Sequence, residues 1–460
     1  MLDAMSFLGI DDLSSNAPIL SDDQSEDWTT IGELKQLSQL WDDNLEDQRS
    51  IVFLYIQNSV IGVAQLLASL KNNHVVALLD PNLPNKSKKE LFNIYRPRFI
   101  FDENELTISK IRSNLELHPD LSILLSTSGS TGSPKFVKLT QRNIESNAKS
   151  ICEVLDIRTS EVGCGHLPLH YSYGLSVLTS HIFKGAPVHL TSKGFLDESF
   201  WKQMKYWEIA HLPGVPFHYS MLRRFGFSKI DLPNLRVLTQ AGGALDSRIK
   251  KIAHDFMNER NGKFHVMYGQ TEASPRLTTL SHEDFSTNPN SVGVAMPGAK
   301  LEIHNDEGKV DTGVEGNIMY FGKNVMMGYA QNSKDLAEGD HLNGVLDTGD
   351  IGYLDKDSRL TITGRSKRIG KIAGLRINLD EVEKCLLKEY SEIAVTQNLD
   401  NLIIFYVKSD EQEDIKKNAL KLLMDTFSLS KVTYKFEEIS HIPRTTRNKI
   451  DYGSLTNLYK

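Results

Sequence analysis

The sequence predicts an α/β protein with a large N-terminal domain of mostly parallel α/β sheets, a β-rich subdomain, and a small α+β domain at the C-terminus. Three observations predict it. A chain of 460 residues exceeds what one ordinary core encloses. From about residue 50 to 270, short apolar runs alternate with helix-like segments, the texture of βαβ units. Between about 290 and 365, residues such as Gly308, Gly313, Gly316, Gly322 and Gly328 cut the chain into short runs, which suggests a small β-rich subdomain.

Each element has a local reason. Val75-Val76-Ala77-Leu78-Leu79 is a strand, Pro81 to Pro84 a turn, and Lys86 to Tyr95 a helix. Thr140 is an N-cap for a helix that carries Ile144, Ala148, Ile151 and Leu155 on one face. Leu235 to Leu238 and Phe264 to Met267 are further strands, with a helix across Arg248 to Met257 between them. Loops at the carboxyl ends of such strands are the usual ligand sites of these sheets. After the basic loop Arg365-Ser366-Lys367-Arg368, the pattern predicts a helix near Asp380 to Tyr390. It continues with strands near 393–397 and 402–407, a helix near 411–427 and a strand near 432–436. The division expected is a large domain over 1–365 and a small one over 366–460. No internal repeat or low-complexity segment interrupts this order.

Composition narrows the classes of function. A hydrophobic fraction of 40% and a charged fraction of 24% are those of an ordinary globular protein. The net charge of −7, from 52 basic and 59 acidic residues, argues against a general nucleic-acid binder. The three cysteines, Cys152, Cys164 and Cys385, are far apart and lack metal-ligand spacing, as expected in a reducing cytoplasm. The longest apolar runs, such as Ile51 to Ile56, are too short to cross a bilayer, so no membrane insertion is expected. The first lysine is Lys35, and the acidic segment before it lacks the basic start of an export signal. Leu8 to Leu13 is similar to a carrier-protein attachment site, but Asp12 stands where the serine would be.

The chemistry concentrates in Ser126-Thr127-Ser128-Gly129-Ser130-Thr131-Gly132-Ser133-Pro134-Lys135, set between the apolar runs Ile123-Leu124-Leu125 and Phe136 to Leu139. Glycines let backbone N–H groups approach a phosphate, and the hydroxyls and Lys135 add donors and charge. The loop is not a Walker A motif. Gly129 and Gly132 are only three apart, and Pro134 precedes the lysine.

Further motifs follow in order. Gly242-Gly243-Ala244 lies after a strand and can bring backbone against a purine or a substrate. Tyr268-Gly269-Gln270-Thr271-Glu272 offers a flat ring, a hydroxyl and a carboxylate that can hold Mg2+. Asp350, in Leu346-Asp347-Thr348-Gly349-Asp350, can accept two hydrogen bonds from a ribose diol. Arg365 and Lys367 lie in the basic loop, and Lys449 ends Pro443-Arg444-Thr445-Thr446-Arg447-Asn448-Lys449.

Taken together, these six ordered motifs resemble those of the adenylate-forming superfamily, which includes acyl-CoA synthetases, standalone adenylation enzymes and luciferases. The resemblance runs from about residue 30 onward. It implies that Thr127, Ser128, Gly129, Ser130, Thr131, Gly132 and Lys135 cover the ATP phosphates. By the same resemblance Gly242, Gly243, Ala244, Tyr268 and Gly269 line adenine, and Asp350 with Arg365 holds the ribose. Thr271 would meet the α-phosphate, Glu272 would serve Mg2+, and Lys449 would contact the reacting carboxylate. Lys367 would be the hinge of the small domain. Gly370, where valine or isoleucine is commoner, and Asn448, where glycine is commoner, depart from the pattern; asparagine still tolerates a left-handed backbone.

The reaction implied has two steps. A carboxylic acid and ATP give an acyl-adenylate and pyrophosphate, and a thiol then displaces AMP to form a thioester. The thiol belongs to coenzyme A or to the phosphopantetheine of an acyl carrier protein; the sequence leaves both open. The acid pocket is expected at Tyr171, Ser172, Tyr173, Gly174 and Gln240. Tyr171 stands where amino-acid adenylation domains place an aspartate, and an ammonium buried there without a carboxylate is costly. An aliphatic or aromatic acid without an α-amino group is therefore expected. A standalone enzyme loading an amino acid onto a carrier is the alternative, and a non-catalytic nucleotide-binding relative is a third reading.

Overall fold

The computed structural model describes residues 7–103, 105–110, 115–126, 135–365, 368–372, 375–387, 389–390, 392–398, 401–407, 415–427, 434–445 and 449–459. The chain divides into two compact units. The first comprises Met1–Thr127, Pro134–Leu301 and Tyr320–Leu346; the second comprises Ser128–Ser133, Glu302–Met319 and Asp347–Lys460.

Two large sheets form the first unit. In the seven-stranded one, Ile51–Tyr55 (β1) leads through helix Val60–Lys71 (α1) to Val75–Leu79 (β2), its parallel neighbour. Both strands are buried along their whole length, as continuous apolar runs covered on two faces should be. Helix Asn85–Tyr95 (α2) follows. Next come Ile123–Ser126 (β3), parallel to β2, and Phe136–Leu139 (β4), antiparallel to β3 from Ile123↔Leu139 to Ser126↔Phe136. Consecutive β3 and β4 are therefore antiparallel strands, whereas a Walker loop would lead from a strand into a helix.

Helix Gln141–Leu155 (α3) starts where its cap requires. The Thr140 hydroxyl accepts from Asn143 N at 3.0 Å, and Asn143 Oδ1 accepts from Thr140 N at 2.8 Å. After Val162–Gly165 (β5), helix Ser172–Lys184 (α4) is buried from Ser172 to Ile182. Its Leu175, Leu178 and Ile182 join the apolar cluster of β1 and β2, while Tyr173 and Val177 join one containing Val237 and Met267. Helix α4 is thus packed between the two sheets, and even its polar residues Ser176, Thr179, Ser180 and His181 are buried.

The nine-stranded sheet places β5, Ile209–Gly214 (β6), Val237–Gln240 (β7) and Lys263–Gly269 (β8) side by side and parallel. Helix Ser247–Asn258 (α5) joins β7 to β8. Strand β7 begins two residues later than expected because Leu235 N donates to Leu232 O, holding Leu235 in a turn. Arg276–Leu280 (β9) runs antiparallel to β8. Gly328–Ala330 (β10) pairs antiparallel with β4 at the edge of the first sheet.

In the second unit lie most residues of a five-stranded sheet that includes Val345–Leu354 (β11) and Leu360–Arg365 (β12). The strands Ile369–Ile372 and Leu375–Asn378 pair with each other. Helix Leu379–Leu386 (α6) stops earlier than expected, although Tyr390 still buries its ring in the same apolar cluster. Ile393–Asn398 (β13), Asn401–Tyr406 (β14) and Tyr434–Glu438 (β15) form a three-stranded sheet, with helix Ile415–Phe427 (α7) between the last two. The C-terminal part is the compact α+β unit that the sequence predicts. Among the described residues no helix is long and apolar enough to cross a membrane.

Candidate active site

In the first unit the motif residues gather at the carboxyl ends of β7 and β8 and at the start of α4. Gly269 ends β8 at a register shift against β9; a Cβ there would lie 1.9 Å from the Pro275 carbonyl oxygen. Glycine is therefore required for the chain to turn back, which it does with Gln270 N donating to Pro275 O at 2.9 Å. The turn presents Thr271 and Glu272 in a short 3-10 segment.

Thr271 is buried, and its hydroxyl is 3.1 Å from that of Ser172, the first residue of α4. Glu272 is half-buried. Its Oε1 accepts from the Tyr329 hydroxyl at 2.6 Å, and Lys135 Nζ lies 3.9 Å from the centre of the same ring. Burial and then the Glu272 charge push the Tyr329 phenol far above its ordinary pKa, so Tyr329 remains the donor. The lysine from the first motif and the carboxylate from the third thus meet across Tyr329, a residue that sequence reasoning missed. A strand reading of Met-Gly-Tyr-Ala carries no sign of that role.

Gly242 has φ +84, and a Cβ there would lie 2.6 Å from the Tyr171 hydroxyl. Both conditions call for glycine. Gln240 is buried, and its Nε2 donates to Gly243 O at 2.8 Å, holding the turn that leads to Ala244. Tyr268 precedes Gly269 at the half-buried end of β8. Tyr171 is half-buried with its ring 6.3 Å from that of Tyr173. Tyr173 is fully buried, its hydroxyl bonded to Thr239 O at 3.0 Å and to Thr239 Oγ1 at 2.8 Å. Gly174 packs against backbone: a Cβ would lie 2.2 Å from Pro168 O. Helix α4 has no side-chain cap, which leaves its first N–H groups to other acceptors.

Two further residues are joined in the second unit. Asp350 and Arg365 are register partners on β11 and β12, with Arg365 Nε 3.2 Å from Asp350 Oδ1. Thr348 Oγ1 donates to Ile318 O at 2.9 Å and accepts from Asp350 N at 3.1 Å, which fixes the backbone beneath the carboxylate. Lys449 is exposed, in a turn closed by Thr445 N to Lys449 O at 2.7 Å and flanked by the bridge Arg444↔Ile450. Thr127, Ser128, Gly129, Ser130, Thr131, Gly132 and the hinge residue Lys367 lie outside the described residues.

The donor set at Glu272 suits Mg2+. Its carboxylate keeps acceptor capacity beyond the Tyr329 bond. Among the described residues no group of three or more His, Cys, Asp or Glu side chains forms a closed cage. A single carboxylate is what a Mg2+ ion travelling with nucleotide phosphates asks of a protein.

Glycine turns, a carboxylate, a lysine and an uncapped helix N-terminus at strand carboxyl ends define an α/β protein with an anion-binding ligand site. Residues 114–330 match the family described as AMP-binding enzyme.

Among curated proteins the chain is similar to oxalate–CoA ligase of Arabidopsis thaliana, 31% identical over 59% of this chain and 53% of that protein. It is also similar to 4-coumarate–CoA ligase 1 of Narcissus pseudonarcissus, 26% identical over 76% of this chain and 67% of that protein. The chain thus spans about half the length of the first relative and about two thirds of the second. Its fold matches that of the o-succinylbenzoate CoA synthetase MenE from Bacillus subtilis, solved with its acyl-adenylate intermediate. There the TM-score is 0.80 at 21% identity, over 98% of this chain and 97% of that one. ATP-bound MatB from Rhodopseudomonas palustris gives a TM-score of 0.81 at 19% identity, over 100% and 99%.

Proposed function

We propose that the protein activates a carboxylic acid with ATP as an acyl-adenylate, releasing pyrophosphate, and transfers the acyl group to a thiol with release of AMP. The observation that carries this reading is the meeting of Lys135, Tyr329 and Glu272 beside the Thr271–Ser172 pair. It sets a cation, a metal-type carboxylate and two hydroxyls where phosphate oxygens would lie.

A carboxylate is already a nucleophile, so the protein's task is to position it and to neutralise the charge developing on phosphate. Thr271 and the first N–H groups of α4 donate to the α-phosphate. Lys135 takes the outer phosphates, with the hydroxyls and glycines of 127–132. Mg2+ bound at Glu272 would offset further phosphate charge. Asp350 accepts from the ribose hydroxyls, with Arg365 fixing its orientation. Gly242, Gly243, Ala244, Tyr268 and Gly269 border the adenine, and Lys449 contacts the reacting carboxylate.

The small domain, 366–460, turns about Lys367 between the two steps, so that Lys449 serves only the first. The acid lacks an α-amino group, since Tyr171 offers no carboxylate to an ammonium. Coenzyme A and carrier-protein phosphopantetheine present the same thiol. The three cysteines, Cys152, Cys164 and Cys385, are thiols and not disulfides, which suits a reducing cytoplasm.

The test is pyrophosphate release with ATP, Mg2+ and panels of fatty, aryl and amino acids. Turnover with amino acids alone would replace this reading with amino-acid loading of a carrier, and ATP binding without turnover would leave a non-catalytic relative. Lys449→Ala is expected to abolish adenylate formation while thioester formation from supplied acyl-AMP is largely kept. Equal loss of both half-reactions contradicts the role given to Lys449.

A further inference from the structure

Arg276, the first residue of β9, is a buried cation with no carboxylate partner among the described residues. The residue is 3% exposed. Its backbone is fixed: Arg276 N donates to Asn147 Oδ1 at 3.3 Å, and its carbonyl accepts from Asn147 Nδ2 at 3.0 Å and Asn324 Nδ2 at 3.1 Å. The guanidinium lies against one aromatic face, with Cζ 3.8 Å from the centre of the Tyr173 ring, and its Nε has no hydrogen-bond partner. Burial acts against its charge, and the groups that favour it are the phenols of Tyr173, which also hydrogen-bonds the guanidinium, and Tyr171, with no carboxylate among them. Guanidinium remains ionised in proteins, and buried charges are held by opposite charges. Among the described residues, therefore, no carboxylate serves as its counterion.

The surroundings show where that counterion would come from. Tyr173 follows Ser172, whose hydroxyl meets Thr271, and succeeding helix residues project about 100° apart. The guanidinium and the Thr271 hydroxyl therefore flank different sides of the first turn of α4, a turn whose N–H groups no side chain caps. Tyr171, beside Tyr173, faces Gly242 of the same site. One ligand reaching from Thr271 toward Arg276 would need an acidic group at each end.

We propose that Arg276 is a specificity-determining residue that selects a dicarboxylic acid, pairing with the carboxylate remote from the one that reacts. The proposal rests on the acid-activating reading of the site. A planar carboxylate matches the guanidinium fork and balances its single charge. A phosphate would bring a second negative charge for which Arg276 supplies no partner. The Tyr173 ring covers a face of the guanidinium, and the Nε, which has no hydrogen-bond partner, remains to be met by the ligand. Adenylation consumes one carboxylate, so the product would be a thioester still bearing a free acid.

The experiment measures pyrophosphate release with ATP, Mg2+ and a series of aliphatic and aromatic dicarboxylic acids, each against its own monomethyl ester and a monocarboxylic acid of equal length. Binding of the diacids is followed in parallel by calorimetry. For at least one diacid, kcat/KM is expected to exceed that of its ester by about 100-fold. Arg276→Met is expected to erase that ratio, through a loss of diacid binding, while turnover of the monocarboxylic acid changes little. Arg276→Lys, which keeps the charge without the fork, should restore part of it.

Equal or better use of the ester by the wild-type protein overturns the proposal, and so does a diacid preference that survives in Arg276→Met. If Arg276→Met fails to fold, the wild-type comparison of diacid with ester decides alone. Turnover of monocarboxylic acids without diacids defeats only the role of Arg276. Absence of turnover with every acid defeats the acid-activating reading, and this proposal with it.

Discussion

Tyr329 shows how much a single non-local residue contributes. Its hydroxyl orients the Glu272 carboxylate from 57 residues away in sequence, and its ring seats Lys135. A hydrogen bond to a charged group contributes about 1.5 to 3 kcal/mol, or about ten- to a hundred-fold in an equilibrium or rate. Tyr329→Phe keeps the ring and removes that bond. It is expected to raise the Mg2+ concentration for half-maximal pyrophosphate release by about tenfold, with little change in melting temperature. An unchanged Mg2+ requirement would show that Glu272 does not depend on Tyr329. The glycine motifs and the Thr271-Glu272 pair were legible in the sequence because each is a local pattern with its own steric or chemical reason. Tyr329 and Arg276 were not, because what distinguishes them is the neighbour each meets in space.

At the scale of elements the same division holds. The start of α3 was readable from Thr140 and the apolar spacing after it, because capping acts over three residues. The burial of α4 was not, because its Ser176, Thr179, Ser180 and His181 read as polar positions although all four are buried. The basic loop after β12 invites reading as a solvated face or a hinge. Arg368 is nevertheless buried: it donates to Asp380 at 2.6 Å, Glu383 at 3.0 Å and Val395 O at 2.6 Å, and it lies over the Tyr452 ring. Asp380 and Glu383 are one turn apart on α6, so both face the guanidinium. Arg368→Ala leaves a buried glutamate unpaired and is expected to cost about 3 to 5 kcal/mol. Denaturant unfolding followed by the near-ultraviolet signal of the C-terminal tyrosines would measure it. A loss below about 1 kcal/mol would mean that the network adds little.

Across the whole molecule, buried histidines set the response to acid. Burial lowers His181 to about 3 and His189, His218 and His265 to about 4; it also holds His166 well below the ordinary value. A histidine with a lowered folded pKa is protonated first in the unfolded chain. Stability is therefore full above about pH 6.5 and falls as pH drops toward 4, by about 1.4 kcal/mol per pH unit for each proton taken up. Glu161 acts lower down. Burial raises its pKa, but bonds from His211 and Arg236 outweigh that and hold it at about 2, so its contribution is lost between about 4.5 and 2. Calorimetry from pH 7.5 to 5 should show a falling melting temperature with net proton uptake on unfolding. A constant melting temperature over that range would contradict it. None of this was legible in the sequence, since a histidine's burial depends on which face of its strand, helix or loop packs inward.

The antiparallel pair β3–β4 bears on which parts of the chain can change. Its ladder runs in register from Ile123↔Leu139 to Ser126↔Phe136, and the outer edges of the two strands are already paired with β2 and β10. The strands are thus held by neighbours on both sides, independently of the residues that join them. The ladder itself therefore fixes the sheet at this point, whichever residues join its two strands.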